Sequence, residues 1–251
     1  MAEKLIVSTE TARIDGYAKV TGSQQYSSDV LLVNMMYGVI LRSPHAHAKI
    51  ISIDTSAAEK MGAVCLTRDD VSDYIYNERL VSVPKETYRD RTVLPKEKVR
   101  FVGEPVVAVA HETEELAYKA AQLVKVEYEV LPFVLEPEEA MKDGAPQLYD
   151  EIWYGEELGK VHNNKGVLRF VEEGNVDEAM NAPGVKIYEN EFVLNRIYHN
   201  QLEPKGAICA MQPDGSIDVY STTQSIHGSR LILSKILDLP LSKVNVKKMA
   251  I

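Results

Sequence analysis

The feature that most constrains this chain is an unbroken apolar run, Val106-Val107-Ala108-Val109-Ala110. A short run rich in β-branched residues suits a strand covered on both faces, and it predicts a strand over residues 101–110. Thr113 follows as an N-cap, with Glu114 and Glu115 placed to complement the helix dipole. Leu116, Ala117, Ala120, Ala121 and Val124 then fall on one face at helical spacing. Residues 125–130 switch to period two, which points Val126, Tyr128 and Val130 inward and the charged residues outward. Residues 99–132 therefore predict one strand, helix, strand unit ending at Pro132.

The 251 residues suffice for two domains, each with its own core. No apolar run approaches the roughly 20 residues of a membrane span, so none is expected. Residues 1–11 lack the apolar stretch of a signal peptide, and a cytoplasmic location is the expectation. Cys65 and Cys209 each sit in an apolar, strand-like segment and read as buried thiols. Their spacing fits neither a zinc nor an iron–sulfur site, so the chain is expected to carry no cluster of its own. A formal net charge of −9 argues against a nucleic-acid partner.

Residues 13–29 read as an ordered opening arm. A strand over 36–41 stops at Ser43-Pro44, and strand, short helix and strand follow over 49–54, 56–61 and 63–67, with Gly62 closing the helix. Residues 69–98 lack periodicity and read as a long surface excursion. The acidic stretch 136–159, with Pro137, Gly144 and Pro146, marks a linker that wraps over a neighbour to shelter Trp153. Strands over 167–171 and 185–198 and a helix over 175–180 open a second domain. A hairpin follows over 207–211 and 217–220, turning at Pro213-Asp214-Gly215. The second arm leads through Ser221-Thr222-Thr223-Gln224 into a helix from about Ser225, its cap, to Leu237, and a last strand begins at Lys243.

Few residues announce chemistry. A strand that delivers a polar loop to a helix N-terminus gathers free N–H groups and a favourable dipole for an oxyanion or a metal-oxo group. Gln224 stands at that mouth; its amide donates and accepts without titrating, which suits orienting a ligand, although it equally suits capping the helix or meeting solvent. Glu203 precedes the hairpin and reads as a candidate buried carboxylate, with His199 and His227 as possible partners. His45 and His47 share a strand spacing, but no third ligand lies near them in sequence. Gly103-Glu104-Pro105 reads as a turn or bulge ahead of the buried strand.

Several segments, in order, resemble the large molybdopterin-binding subunit of the xanthine dehydrogenase and aldehyde oxidase family. Arg13-Ile14-Asp15, Lys19-Val20-Thr21-Gly22, Tyr26 and Asp29 look like its opening. Residues 41–48, reading Leu-Arg-Ser-Pro-His-Ala-His-Ala, and residues 99–106, reading Val-Arg-Phe-Val-Gly-Glu-Pro-Val, look like its α/β hammerhead domain. Leu202-Glu203-Pro204 and residues 221–224 look like the start of its first cofactor-binding domain. The resemblance implies an α+β chain: a hammerhead domain with its arm over residues 1–135, a linker over 136–160, and an incomplete α/β molybdopterin-binding domain over 161–251.

The same resemblance implies a molybdenum-molybdopterin cofactor, with Gln224 matching the glutamine that hydrogen-bonds an oxo group on molybdenum. Similar proteins oxidatively hydroxylate aldehydes or N-heterocycles such as purines, use a glutamate as base, and pass electrons to iron–sulfur clusters and often FAD. Those groups have no counterpart here, which implies an iron–sulfur subunit and an FAD subunit as partners. The family continues past the strand at 244–246 into a glycine-rich loop and later supplies the base, whereas this chain reads Lys247-Lys248-Met249-Ala250-Ile251. Either the reading frame is truncated or a C-terminal molybdopterin-binding polypeptide supplies the remainder as a further partner; in both cases no catalytic base is expected in this chain, and the chain alone is expected to be inactive. The rival expectation is a noncatalytic scaffold that keeps the hammerhead docking surface.

Overall fold

The computed structural model describes residues 12–77, 88–154, 157–165, 173–201 and 205–250. In chain order, the elements up to the apolar run are α1 (Gly16–Val20), β1 (Tyr37–Arg42), β2 (Ala48–Asp54), α2 (Ser56–Lys60), β3 (Val64–Leu66), β4 (Tyr88–Arg89) and β5 (Lys98–Val99). The unit foreseen around the run supplies β6 (Pro105–His111), α3 (Glu114–Leu123) and β7 (Lys125–Val130). After it come α4 (Pro137–Ala140), β8 (Glu151–Tyr154), β9 (Glu157–Lys160), α5 (Val176–Met180), β10 (Ala207–Met211), β11 (Ile217–Ser221), α6 (Ile226–Ile236) and β12 (Val244–Lys248).

β6 is the centre of the first domain. It pairs antiparallel with β1 on one side and β3 on the other. Val106, Val107 and Val109 are all but inaccessible to solvent, as the apolar run requires. α3 lies over β1 and β6. Its small residues Ala117, Ala120 and Ala121 are buried, and Thr113 caps it by accepting the Leu116 N–H at 3.2 Å. Ala48, Ile50, Ala58 and Val99 join β6 and α3 in one core.

Three details of the predicted unit need correction. The strand starts at Pro105, because residues 101–104 form a turn in which Gly103 takes φ +89°, a conformation that favours glycine. β6 and β7 also enter different sheets: β7 pairs with β2, whose other neighbour is β5. Val130, predicted to face the core, is exposed, because it ends β7 opposite Ala48 at the sheet's margin.

The excursion and the linker are tied to each other. β4 pairs with β8, the hairpin β8–β9 completes that sheet, and Leu94 is buried. Arg100 donates to the Leu148 carbonyl at 3.1 Å and stacks over Tyr149, whose phenol burial pushes up to about 12. Trp153 is half-buried, and Arg89 lies over its ring at 5.3 Å.

The second domain is thinner. β10, β11 and β12 form one sheet, antiparallel then parallel, so β11, α6 and β12 make a parallel crossover. Its core holds Ile217, Val219 and Val244 with Leu233, Leu239 and Val246 packed on them. No β10 residue belongs to this cluster, and Cys209, expected to be a buried thiol, is exposed; Cys65 is half-buried. The strand expected over 185–198 does not form: these residues belong to no described helix or strand, because nothing described pairs with them, and their side chains are exposed. The strand expected over 167–171 lies outside the described residues. Before the hairpin, a Cβ added at Gly206 would lie 3.4 Å from the Oγ of buried Ser27, so the opening arm rests against the start of β10.

Candidate functional site

β11 runs parallel to β12, so the loop leaving its carboxyl end must climb into α6 before the chain can return. That topology puts a loop and a helix N-terminus together at the carboxyl edge of the parallel strands, where α/β sheets bind ligands. Residues 222–225 are that loop. The Thr222 N–H reaches the Gly206 carbonyl at 3.4 Å, tying the loop to the start of β10.

Ser225 occupies the N-cap position, but its side chain makes no capping bond. Thr223 serves instead: its Oγ1 accepts the Ser225 N–H at 3.1 Å and lies 3.2 Å from Ser229 Oγ. The Thr223 bond stiffens the loop on the sequence side of Gln224, while the first-turn N–H groups of α6 lack intrahelical acceptors. Gln224 is exposed and makes no side-chain hydrogen bond among the described residues, so the structure assigns it no capping role.

A cavity of about 210 Å³ opens between the first turns of α6 and β12, lined by Ile226, His227, Arg230, Val244, Asn245 and Val246. His227 and Arg230 reach it together because residues three apart share a helix face. Arg230 also fixes the helix: its Nε donates to the Leu241 and Val244 carbonyls at 3.0 and 2.9 Å. Sequence reasoning passed over Arg230; the signal was its place one turn after the polar loop. The lining holds the amide of Asn245 and the guanidinium of Arg230 and no acidic side chain. Gln224 is not in this lining, which meets β12 at its start opposite Ile217. Asn245 Nδ2 and Arg230 Nε and Nη2 already donate to Asp218 and to the Leu241 and Val244 carbonyls. The donors left for an anionic or oxo-bearing group, the chemistry a molybdenum-pterin cofactor presents, are the Gln224 amide and the α6 N-terminus.

The other candidates do not gather there. His199 is exposed on the unpaired segment, and Glu203 lies outside the described residues. His45 meets Tyr128 edge-on at 5.0 Å, whereas His47 is buried with Nδ1 2.9 Å from the Pro132 carbonyl. The Leu131 N–H returns to the His47 carbonyl, so His47 pins the end of β7 to the start of β2. Glu104 is buried in the turn before β6, where its Oε2 accepts the Arg100 N–H at 2.5 Å; loss of solvent pushes its carboxyl up despite that bond. No group of three or more possible metal ligands occurs among the described residues.

Comparison with known proteins places this geometry. Residues 21–132 match the a/b hammerhead domain of aldehyde oxidase and xanthine dehydrogenase, and residues 160–251 match a molybdopterin cofactor-binding domain. This chain belongs to the xanthine dehydrogenase and aldehyde oxidase family. It is 34% identical over 236 residues to a probable xanthine dehydrogenase subunit of Bacillus subtilis, covering 93% of this chain and 29% of that one. A crystal structure of a Cu,Mo-CO dehydrogenase superposes with a TM-score of 0.79 at 28% identity, covering 97% of this chain and 31% of that one. A nicotinate dehydrogenase large molybdopterin subunit of Eubacterium barkeri is 25% identical over 246 residues, covering 96% of this chain and 53% of that one. The family's fold, an α+β hammerhead with a cofactor-binding domain, is the one described above. This chain spans about three-tenths of the length of the first two proteins. No described helix is long and apolar enough to cross a membrane.

Proposed function

We propose that this chain works within a molybdenum hydroxylase, an assembly that oxidatively hydroxylates an aldehyde or an N-heterocycle such as a purine. The observation that carries the reading is Gln224: an exposed amide without a side-chain hydrogen bond among the described residues, at the mouth of a helix, inside the segment that matches a cofactor-binding domain. When bound, the molybdenum-pterin group supplies the oxidising centre for hydroxylation. The chain's own residues orient it. Gln224 presents its amide to an oxo group, the α6 N-terminus adds backbone donors, and Arg230 keeps helix and strand in register behind them.

The base, the substrate contacts and the electron carriers belong to other parts of the assembly: a C-terminal molybdopterin-binding polypeptide, an iron–sulfur subunit and an FAD subunit. The relatives' names as subunits support such an assembly. The exposed apolar side chains of the second domain speak for it over a self-contained scaffold, whose surface would be polar and closed.

Gln224→Ala tests the reading in a reconstituted complex. Removing one positioned hydrogen-bond donor is expected to lower kcat about 10- to 100-fold or to lower molybdenum occupancy, measured by turnover and by metal analysis. Unchanged activity and unchanged molybdenum content would sink the assignment.

A further inference from the structure

The loop that presents Gln224 is anchored residue by residue. Ser221 ends β11 opposite Ala207, and its carbonyl accepts the Met249 N–H at 3.0 Å. Thr222 carries the antiparallel ladder one step further: its N–H points to the Gly206 carbonyl at 3.4 Å, and its Oγ1 lies 3.5 Å from the Gly206 nitrogen. Contacts of that length are weak, so they hold Thr222 in place only if Gly206 is itself held. Thr223 faces the other way, toward Ser225 and Ser229 of the helix.

The opening arm is what backs Gly206. Among the described residues 12–36, Ser27 alone is buried, although serine is ordinarily a surface residue. The arm therefore seats at one point. Its turn there is locked by its own bonds, with the Tyr26 N–H donating to Asp29 Oδ2 at 2.9 Å and the Asp29 N–H to the Tyr26 carbonyl at 3.0 Å. A Cβ on Gly206 would lie 3.4 Å from Ser27 Oγ and 4.0 Å from Ser27 Cβ, a gap that admits a methyl group in ordinary contact and nothing longer. Gly206 is not among the glycines with positive φ, so its backbone makes no demand for glycine; the close approach of Ser27 does.

We propose that Ser27 is a positioning residue: seated on Gly206, it fixes through Gly206 and Thr222 the place at which the loop holds the Gln224 amide. This rests on the cofactor reading of Gln224 and adds a residue of the first domain to the site of the second. Misplacing an orienting group by about 1 Å costs on the order of 100-fold in rate, so a contact this far from the chemistry carries weight.

The test exchanges the two side chains across the contact in the full chain. Gly206→Ser overfills the gap, Ser27→Gly empties it, and the double variant Ser27→Gly, Gly206→Ser returns one hydroxymethyl group to the same space. In the chain alone, the Thr222 and Ser225 amides are expected to exchange hydrogen about tenfold faster in Gly206→Ser and within about twofold of the parent in the double variant. Ser27→Gly leaves the second domain's own sequence intact and is expected to speed the same amides about threefold, which keeps the test decisive if Gly206→Ser does not fold. In the reconstituted complex, the quantity that Gln224→Ala lowers, turnover or molybdenum content, is expected to fall about tenfold in Gly206→Ser, to recover in the double variant, and to fall no further when Gly206→Ser is added to Gln224→Ala. A contact that merely joined the domains would give neither the recovery nor the non-additivity. The proposal is overturned if Ser27→Gly leaves both amides unchanged, if the double variant is no better than Gly206→Ser, or if the effects of Gly206→Ser and Gln224→Ala multiply. Should Gln224→Ala change nothing while amide exchange still follows the swap, the cofactor reading falls and the positioning of the loop by Ser27 stands.

Discussion

Two strand, helix, strand units with the same outline in sequence behave differently in this molecule. β6–α3–β7 splits its strands between two sheets, because β1 and β3 flank β6 and leave no place beside it for β7. β11–α6–β12 keeps its strands adjacent and parallel. Among the described residues, the first lies in a core of eleven buried residues drawn from both sheets and two helices, and the second rests on three. Local pattern thus specifies the unit, while the strands that insert around it decide whether it closes a domain or leaves a ligand-binding edge open.

The sharpest way to break this comparison is to cut an equal side chain from each core. Val107 and Val244 are both fully inaccessible. Val107→Ala is expected to cost about 2 kcal/mol, because its rigid surroundings cannot close the cavity, and Val244→Ala about 1 kcal/mol, because a thin core relaxes around the loss. Urea denaturation, followed by a probe in each domain, reads both; equal losses would show that the second core is as rigid as the first.

The helix caps give a smaller contrast. Thr113→Ala is expected to cost about 1 kcal/mol, since it frees a bonded N–H. In α6 the loss moves from the position expected to cap: Thr223→Ala is expected to cost about 0.5 kcal/mol and Ser225→Ala less than Thr223→Ala, by the same unfolding assay.

The pH responses should run in opposite directions. Burial raises Glu104 above its unfolded value, so the native state holds that proton longer, and stability falls as pH rises through the window between the two values. Asp214, in the hairpin turn, is lowered to about 2 by hydrogen bonds from Ser216 and then by Lys243. Its contribution is present above the unfolded value and is lost as pH falls towards 2. Glu104→Gln should flatten the first slope and Asp214→Asn the second in denaturation curves collected across pH.

Much of the fold was legible because its signals are local. The apolar run, the Thr113 cap and the turn at Gly215 each act within a few residues, and each formed its element, although the strand of the run begins four residues later than expected. Sheet membership was not legible, since it depends on β1 and β3 reaching β6 from far along the chain. Residues 185–198 read as a strand for a sound reason, their apolar pattern, but a strand needs a partner, and none is among the described residues. At the site, the strand–loop–helix outline pointed to Gln224. The exchange of roles between Ser225 and Thr223, and the carbonyl clamp of Arg230, depend on loop geometry and on β12, which periodicity does not encode.

The contact between Ser27 and Gly206 also sets a timetable. The two residues lie 179 positions apart, so the arm waits for a much later segment before it has anything to rest on. Contacts of such separation are slow to form, whereas the antiparallel hairpin of β10 and β11 closes locally and fast. Seating of the arm on β10 is therefore expected late in folding, after both domains have their cores, and it would hold the two domains together from outside.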